Sequence, residues 1–187
     1  MMVDPYAFKV LQKDHHAQLV ADLSGYAQDA GIQPVWICKA LPDTISDQER
    51  DYLRGFRRHA ENSVSGLILH GKNTDGKVET HMSAMTGALV RNFIRARVMT
   101  LGTLIDHLAK GDVPDIAALM IPNFFLSASE GGTVAPWQVN ALFDYLTYRH
   151  VSGMQTVLYA SDMALLGKEY GMAFKGLIEA HYLKSKI

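Results

Sequence analysis

The chain has one cysteine, Cys38, in "WICKAL". A single thiol excludes an internal disulfide framework and a cysteine-rich zinc site, and it fits a reducing compartment. The eight histidines show no His-x-x-x-His or Cys/His ligand spacing, so no metal site is expected. There is no excess of one charge: the formal net charge is −1, which excludes a strong overall pull on nucleic acid. Any such contact must come from a local patch. No apolar run approaches the length of a membrane span, and the N-terminus "MMVDPYAFKVLQKDHH" has no apolar signal-peptide core. A cytoplasmic location is expected. Repeats and low-complexity segments are also lacking. What remains is ordinary globular composition, 48% hydrophobic and 20% charged over 187 residues, enough for one domain with a real core.

The first part of the chain reads as helical. Between Tyr6 and Ala30, apolar residues at Val10, Leu11, Leu19, Val20, Leu23 and Ala27 suggest one or two helices ended by Gly31. "IQPVWICKALPDTI" reads as an irregular connector. Ser46 to Glu49, "SDQE", is a capping-box pattern that opens a helix carrying Tyr52, Leu53, Phe56 and Ala60 on one side.

Strand and helix patterns then alternate. "SGLILH" is a short apolar strand. A helix from Lys77 to Ile94 would place Met82, Met85, Leu89 and Phe93 on one face. "ARVMTL" is a strand, "GTLIDHLAKG" a helix closed by Gly111, and "IAALMI" a buried strand. "PNFFLSASEGGTVAP" reads as a long loop, and "WQVNALFDYLTYRHVSG" as a helix with Val139, Leu142, Phe143 and Leu146 inward. "QTVLYAS" is a strand, and "MALLGKEYGMAFKGLIEAHYL" closes the chain as helix. Alternation of this kind implies a parallel sheet covered on both faces. Strands that are apolar without alternation suit that burial. The boundaries expected are a helical N-terminal extension and connector over 1–45 and an α/β domain over 46–187.

The stretch "GKNTDGKV", Gly71 to Val78, sits between an apolar strand and a helix. Its frame is nearly that of a phosphate-binding loop, G-x-x-x-x-G-K-[ST], in which backbone N–H groups cradle phosphates at a helix N-terminus. Gly71, Gly76 and Lys77 are in register. Val78 stands where a hydroxyl should hold magnesium.

In order and spacing, three stretches resemble the bacterial helicase-loader ATPases of the DnaC/DnaI type and the related IstB transposition ATPases, which are AAA+ proteins. They are "AGIQPVWICKALPDTI", "GLILHGKNTDGKVETHM" and "VLYASDMALLGKEYG", and they cover the chain from about Ala30 onward. The resemblance implies a three-layer sandwich with a parallel sheet, a P-loop NTPase (AAA+)-like fold with a helical N-terminal extension. It also implies a set of catalytic parts, and this chain departs from each. Thr74 replaces the central loop glycine, and a β-branched residue resists positive φ. Asp75 would put a carboxylate beside a triphosphate. Pro122 and Asn123 stand where an acidic pair should end the second strand motif. Asp162 stands at a position where asparagine would read the γ-phosphate. The late helix offers Lys175 where the family places an arginine finger, and no arginine follows Arg149.

The expectation is therefore a catalytically inactive relative of helicase loaders, not an enzyme, with no cofactor. It would act by protein–protein contact with a replicative helicase, an initiator or an active loader paralogue, in DNA replication or mobile-element (phage or plasmid) transactions. Gly71, Gly76 and Lys77 would be a vestigial nucleotide site. Two alternatives stand beside it. One is an ATPase that binds ATP and magnesium unusually. The other is a single-stranded DNA-binding accessory module using Arg54, Arg57 and Arg58. These share a helix face with Arg50, and Arg91, Arg95 and Arg97 lie nearby in sequence. The loop around Phe124, Phe125, Ser127, Ser129, Gly131, Gly132 and Trp137 is a further candidate, for partner binding through aromatic anchors.

Overall fold

The computed structural model describes residues 4–127, 130 and 134–187. Nearly continuous apolar strands demand cover on both faces, and they receive it. The first helices are α1 (Lys13–Ala21), α2 (Leu23–Ala30), α3 (Pro34–Cys38) and α4 (Asp47–Gly55), the last running into a 3-10 turn, Phe56–Arg58. The α/β part follows as β1 (Gly66–His70), α5 (Lys77–Arg91), β2 (Ala96–Val98), α6 (Leu101–Lys110), β3 (Ala118–Phe125), α7 (Pro136–Val151), β4 (Gln155–Ala160), α8 (Met163–Glu169), α9 (Met172–His181) and β5 (Tyr182–Lys186). The five strands form one sheet in the order β2-β3-β4-β1-β5, and every pairing is parallel.

Strand side chains alternate faces even where all are apolar. Leu67, Leu69, Val157 and Tyr159 join a core with Leu19, Ile37, Tyr52, Val78, Met82 and Met85, supplied by α1 to α5. Ile68, Leu158 and Ala160 point the other way and pack with Leu104, Leu142, Leu146, Phe174 and Ile178, from α6, α7 and α9. The result is three layers, with α1 to α5 on one face and α6 to α9 on the other. Among the described residues no helix is long and apolar enough to cross a membrane.

Local signals in the chain account for most boundaries. Gly31 and Gly111 end α2 and α6 in the left-handed conformation, at φ 66° and 70°. The capping box is present: Ser46 Oγ accepts from the Glu49 N–H, and Glu49 Oε2 accepts from the Ser46 N–H at 2.8 Å. Other expectations need correction. The connector contains α3, because Pro34 sits at its first turn, where a missing N–H costs nothing. The strand "IAALMI" continues through Pro122 to Phe125, so the first four residues of the expected loop are sheet. A register shift between Ile121 and Phe125 accommodates the proline. The last helix breaks at Gly171, φ 94°, and its end is the edge strand β5. Phe93 lies beyond α5 and is 60% exposed, whereas Met82, Met85 and Leu89 are buried as expected.

Candidate phosphate loop and arginine cleft

Because the sheet is parallel, the loop after β1 emerges at the C-terminal edge, where α/β folds place ligands. Residues 71–76 link β1 to α5. Positive φ falls at Gly71 (115°), Asp75 (56°) and Gly76 (67°). The steric objection to Thr74 therefore does not hold, since Thr74 is not one of the left-handed positions. Asp75 is, and a short polar side chain tolerates that conformation better than most.

The N–H groups of Asn73, Lys77 and Val78 are engaged by the protein itself. Asn73 Oδ1 accepts from the Val78 N–H at 3.2 Å, while Asn73 Nδ2 donates to Glu79 Oε2 at 3.0 Å. The Lys77 N–H donates to Thr74 O at 3.2 Å. Tyr159, from the adjacent β4, reaches under the loop. Its hydroxyl donates to Gly71 O at 2.7 Å and accepts from the Asn73 N–H at 3.1 Å. Burial pushes this phenol up, which keeps its donating proton at neutral pH, and the Asn73 N–H offsets part of that. Val78 is fully buried in the core beneath α5, so its side chain is not turned toward the loop surface. Lys77 is half-buried and Gly76 exposed. Beside the loop, burial and then Lys184 and Lys186 hold His70 below the usual imidazole value.

Asn123, Asp162 and Lys175, singled out in the sequence, have local structural partners. Asn123 Oδ1 accepts from the Leu101 N–H at 2.8 Å and so tethers α6 to the end of β3. Asp162 caps α8, its Oδ1 accepting from the N–H groups of Ala164 (2.8 Å) and Leu165 (3.0 Å). Lys175 lies 3.9 Å from Glu179 on the same helix. Among the described residues no group of three or more His, Cys, Asp or Glu is placed to hold a metal ion.

The aromatic loop does not present its phenylalanines. Phe124 and Phe125 are buried against Tyr170 and Phe174, while Trp137 is 58% exposed at the start of α7. Ser129, Gly131 and Gly132 lie outside the described residues. The arginines behave differently. Arg50, Arg54, Arg57 and Arg58 line one cleft of about 570 Å³ together with Arg91. Arg95 and Arg97 line a separate cavity beside α2, with Tyr26 and Phe93. Reading the sequence missed Asn73 and Tyr159. An asparagine between two glycines of the loop was a visible capping signal, but the pairing of Tyr159 with the loop depends on β4 lying next to β1.

The strand order, with β1 between β4 and β5, and the phosphate-loop position can be set against known proteins. A solved DNA replication initiation factor superposes with a TM-score of 0.54 at 12% identity, over 79% of this chain and 49% of that one. AMPPCP-bound DnaA from Aquifex aeolicus gives 0.53 at 11%, over 76% and 47%. DnaI gives 0.55 at 17%, over 83% and 94%. The fold is AAA+-like. The expected fold class is thus borne out, while identities this low speak to architecture alone. This chain spans about half the length of the two initiator structures. No family model matches it, and no curated protein does. In this chain the loop from Gly71 to Val78 joins β1 to α5 at the C-terminal edge of the parallel sheet.

Proposed function

We propose that this chain is an AAA+ relative of replication initiators and helicase loaders that acts by protein contact without hydrolysing ATP. Its partners would be a replicative helicase, an initiator or an active loader paralogue. The observation that carries the reading is the self-capped loop. The Asn73 side chain occupies the Val78 N–H, and the Tyr159 hydroxyl holds Gly71 and Asn73 together. A phosphate needs those backbone donors free. The burial of Val78 supports the same reading, since no hydroxyl stands there to ligate magnesium. Asn123 and Asp162, each committed to capping a helix, are further support.

The test is nucleotide turnover by the purified full chain. The expected result is no magnesium-dependent ATP hydrolysis above the rate of a Lys77→Ala variant. Robust magnesium-dependent hydrolysis that Lys77→Ala abolishes would overturn the proposal and restore the reading as an unusual ATPase.

A further inference from the structure

The arginine cleft lies at the far end of α5 from the phosphate loop, between that helix end and α4 with its 3-10 turn. Its charge is largely uncompensated. Arg54 pairs with Asp51 at 2.9 Å, both well exposed. Arg50 donates to Pro42 O at 3.0 Å, Arg57 to Asn92 O at 3.2 Å and Arg91 to Lys39 O at 2.9 Å. Carbonyl dipoles hold these guanidinium groups in place without cancelling their charge. Arg58 is exposed and makes no ion pair among the described residues. No aspartate or glutamate lines the cleft. Burial lowers the Arg91 pKa from its ordinary value, as expected for a cation drawn inward without a carboxylate partner.

The floor decides what kind of anion fits. It is aliphatic, formed by Leu53, Leu89 and Ile94. Nucleic-acid bases held without a sequence code stack on exposed aromatic faces. The aromatic side chain lining this cleft is Phe56, which is 9% exposed and packed edge-on against Tyr52 at 6.0 Å. It offers no platform. An aliphatic floor under an arginine rim suits a polypeptide segment with both leucine-like and acidic side chains. The guanidinium fork matches carboxylates in pairs. From Arg50 to Arg58 the rim runs about 12 Å at helical rise, roughly two turns of a docked helix.

We infer that this cleft is the docking site for an acidic, amphipathic segment of a partner protein, its carboxylates on the arginine rim and its aliphatic side chains on the floor. The inference rests on the protein-contact reading above and gives that reading a surface. The test uses the full chain and fluorescence anisotropy at about 0.1 M ionic strength. The probes are a labelled helix-forming peptide of Glu and Leu, about fifteen residues long, the same peptide with Gln for Glu, and an oligothymidylate of similar length. The acidic peptide should bind about tenfold more tightly than either other probe. An Arg57→Glu/Arg58→Glu double variant, altered at two exposed positions, should lose about tenfold in affinity while circular dichroism shows the fold retained, although Arg57 gives up its bond to Asn92 O. Arg58→Glu alone should lose part of it. Equal or tighter binding of the oligothymidylate would overturn the inference in favour of nucleic acid. Absent peptide binding, or affinity unmoved by charge reversal, would also overturn it. None of these outcomes touches the ATP turnover assay, so the two proposals fail separately.

Discussion

Val78→Thr is the most informative single change in the phosphate loop, because the two readings of the loop give it opposite signs. It restores the hydroxyl a working loop would carry and alters volume little. In this structure Val78 is fully buried beside Met82 and Met85 at the start of α5. The new hydroxyl would be desolvated among apolar neighbours, and valine-to-threonine is not a neutral swap in a core. A buried, poorly paired hydroxyl costs about 1–3 kcal/mol. The Thr74 carbonyl, which already accepts from Lys77, could take part of the bond, so about 2 kcal/mol is expected. For a protein of this size that lowers the thermal midpoint by roughly 4–8 °C. Mg-ATP should leave the midpoint of the variant where it is. A working site with ligand at a hundredfold excess over Kd would instead add about 2.7 kcal/mol of stability. Differential scanning fluorimetry of native and variant protein, with and without Mg-ATP, separates the two. A variant as stable as the native chain, with a midpoint that rises in magnesium and ATP together, would refute the self-capped reading.

Two further perturbations test the fold. Gly87 packs α5 against α3, and a Cβ there would lie 2.2 Å from the Trp36 carbonyl oxygen, a backbone atom that cannot swing aside. Gly87→Ala should destabilise by about 1–3 kcal/mol in urea denaturation despite the better helix propensity of alanine, and a stabilised variant would contradict the packing. Burial and then His181 hold His150 below the usual imidazole value, and its Nδ1 lies 2.7 Å from Ser65 Oγ. A depressed folded pKa means the unfolded chain takes the proton first. Its stabilising share is full above about pH 6.5 and is lost as pH falls through the folded value. The thermal midpoint should drop between about pH 7 and pH 5, less steeply for His150→Asn, and coincident pH profiles would show that this imidazole is not responsible.

The layer order was legible because it depends on short-range pattern. Apolar runs such as "GLILH" and "TVLYA" can only be buried on both faces, and the capping box at Ser46 fixes the start of α4 by contacts three residues apart. The elements that escaped depend on distant partners. "YLKSK" follows a helical stretch without a clear break, with Tyr182 and Ser185 buried and Leu183 exposed. It becomes a strand because β1 offers an open edge, pairing Gly66 with Tyr182 across more than half the chain. Pro122 reads as a strand stop, yet the bulge between Ile121 and Phe125 places its missing N–H where the ladder is already irregular.

The same division runs through the candidate sites. By itself the sequence determined that the loop carries Gly71, Gly76 and Lys77 in phosphate-loop register, that Val78 cannot ligate magnesium, and that four arginines recur at helical spacing after Ser46. These are matters of residue chemistry and period. Only the tertiary structure decided that Asn73 takes the Val78 N–H and Tyr159 the Asn73 N–H, and that Arg91 joins the helix arginines while Arg95 and Arg97 face another cavity. The physical reason is that a hydrogen-bond donor is free or taken according to what the fold brings within about 3 Å of it. That neighbour can come from a strand 86 residues away.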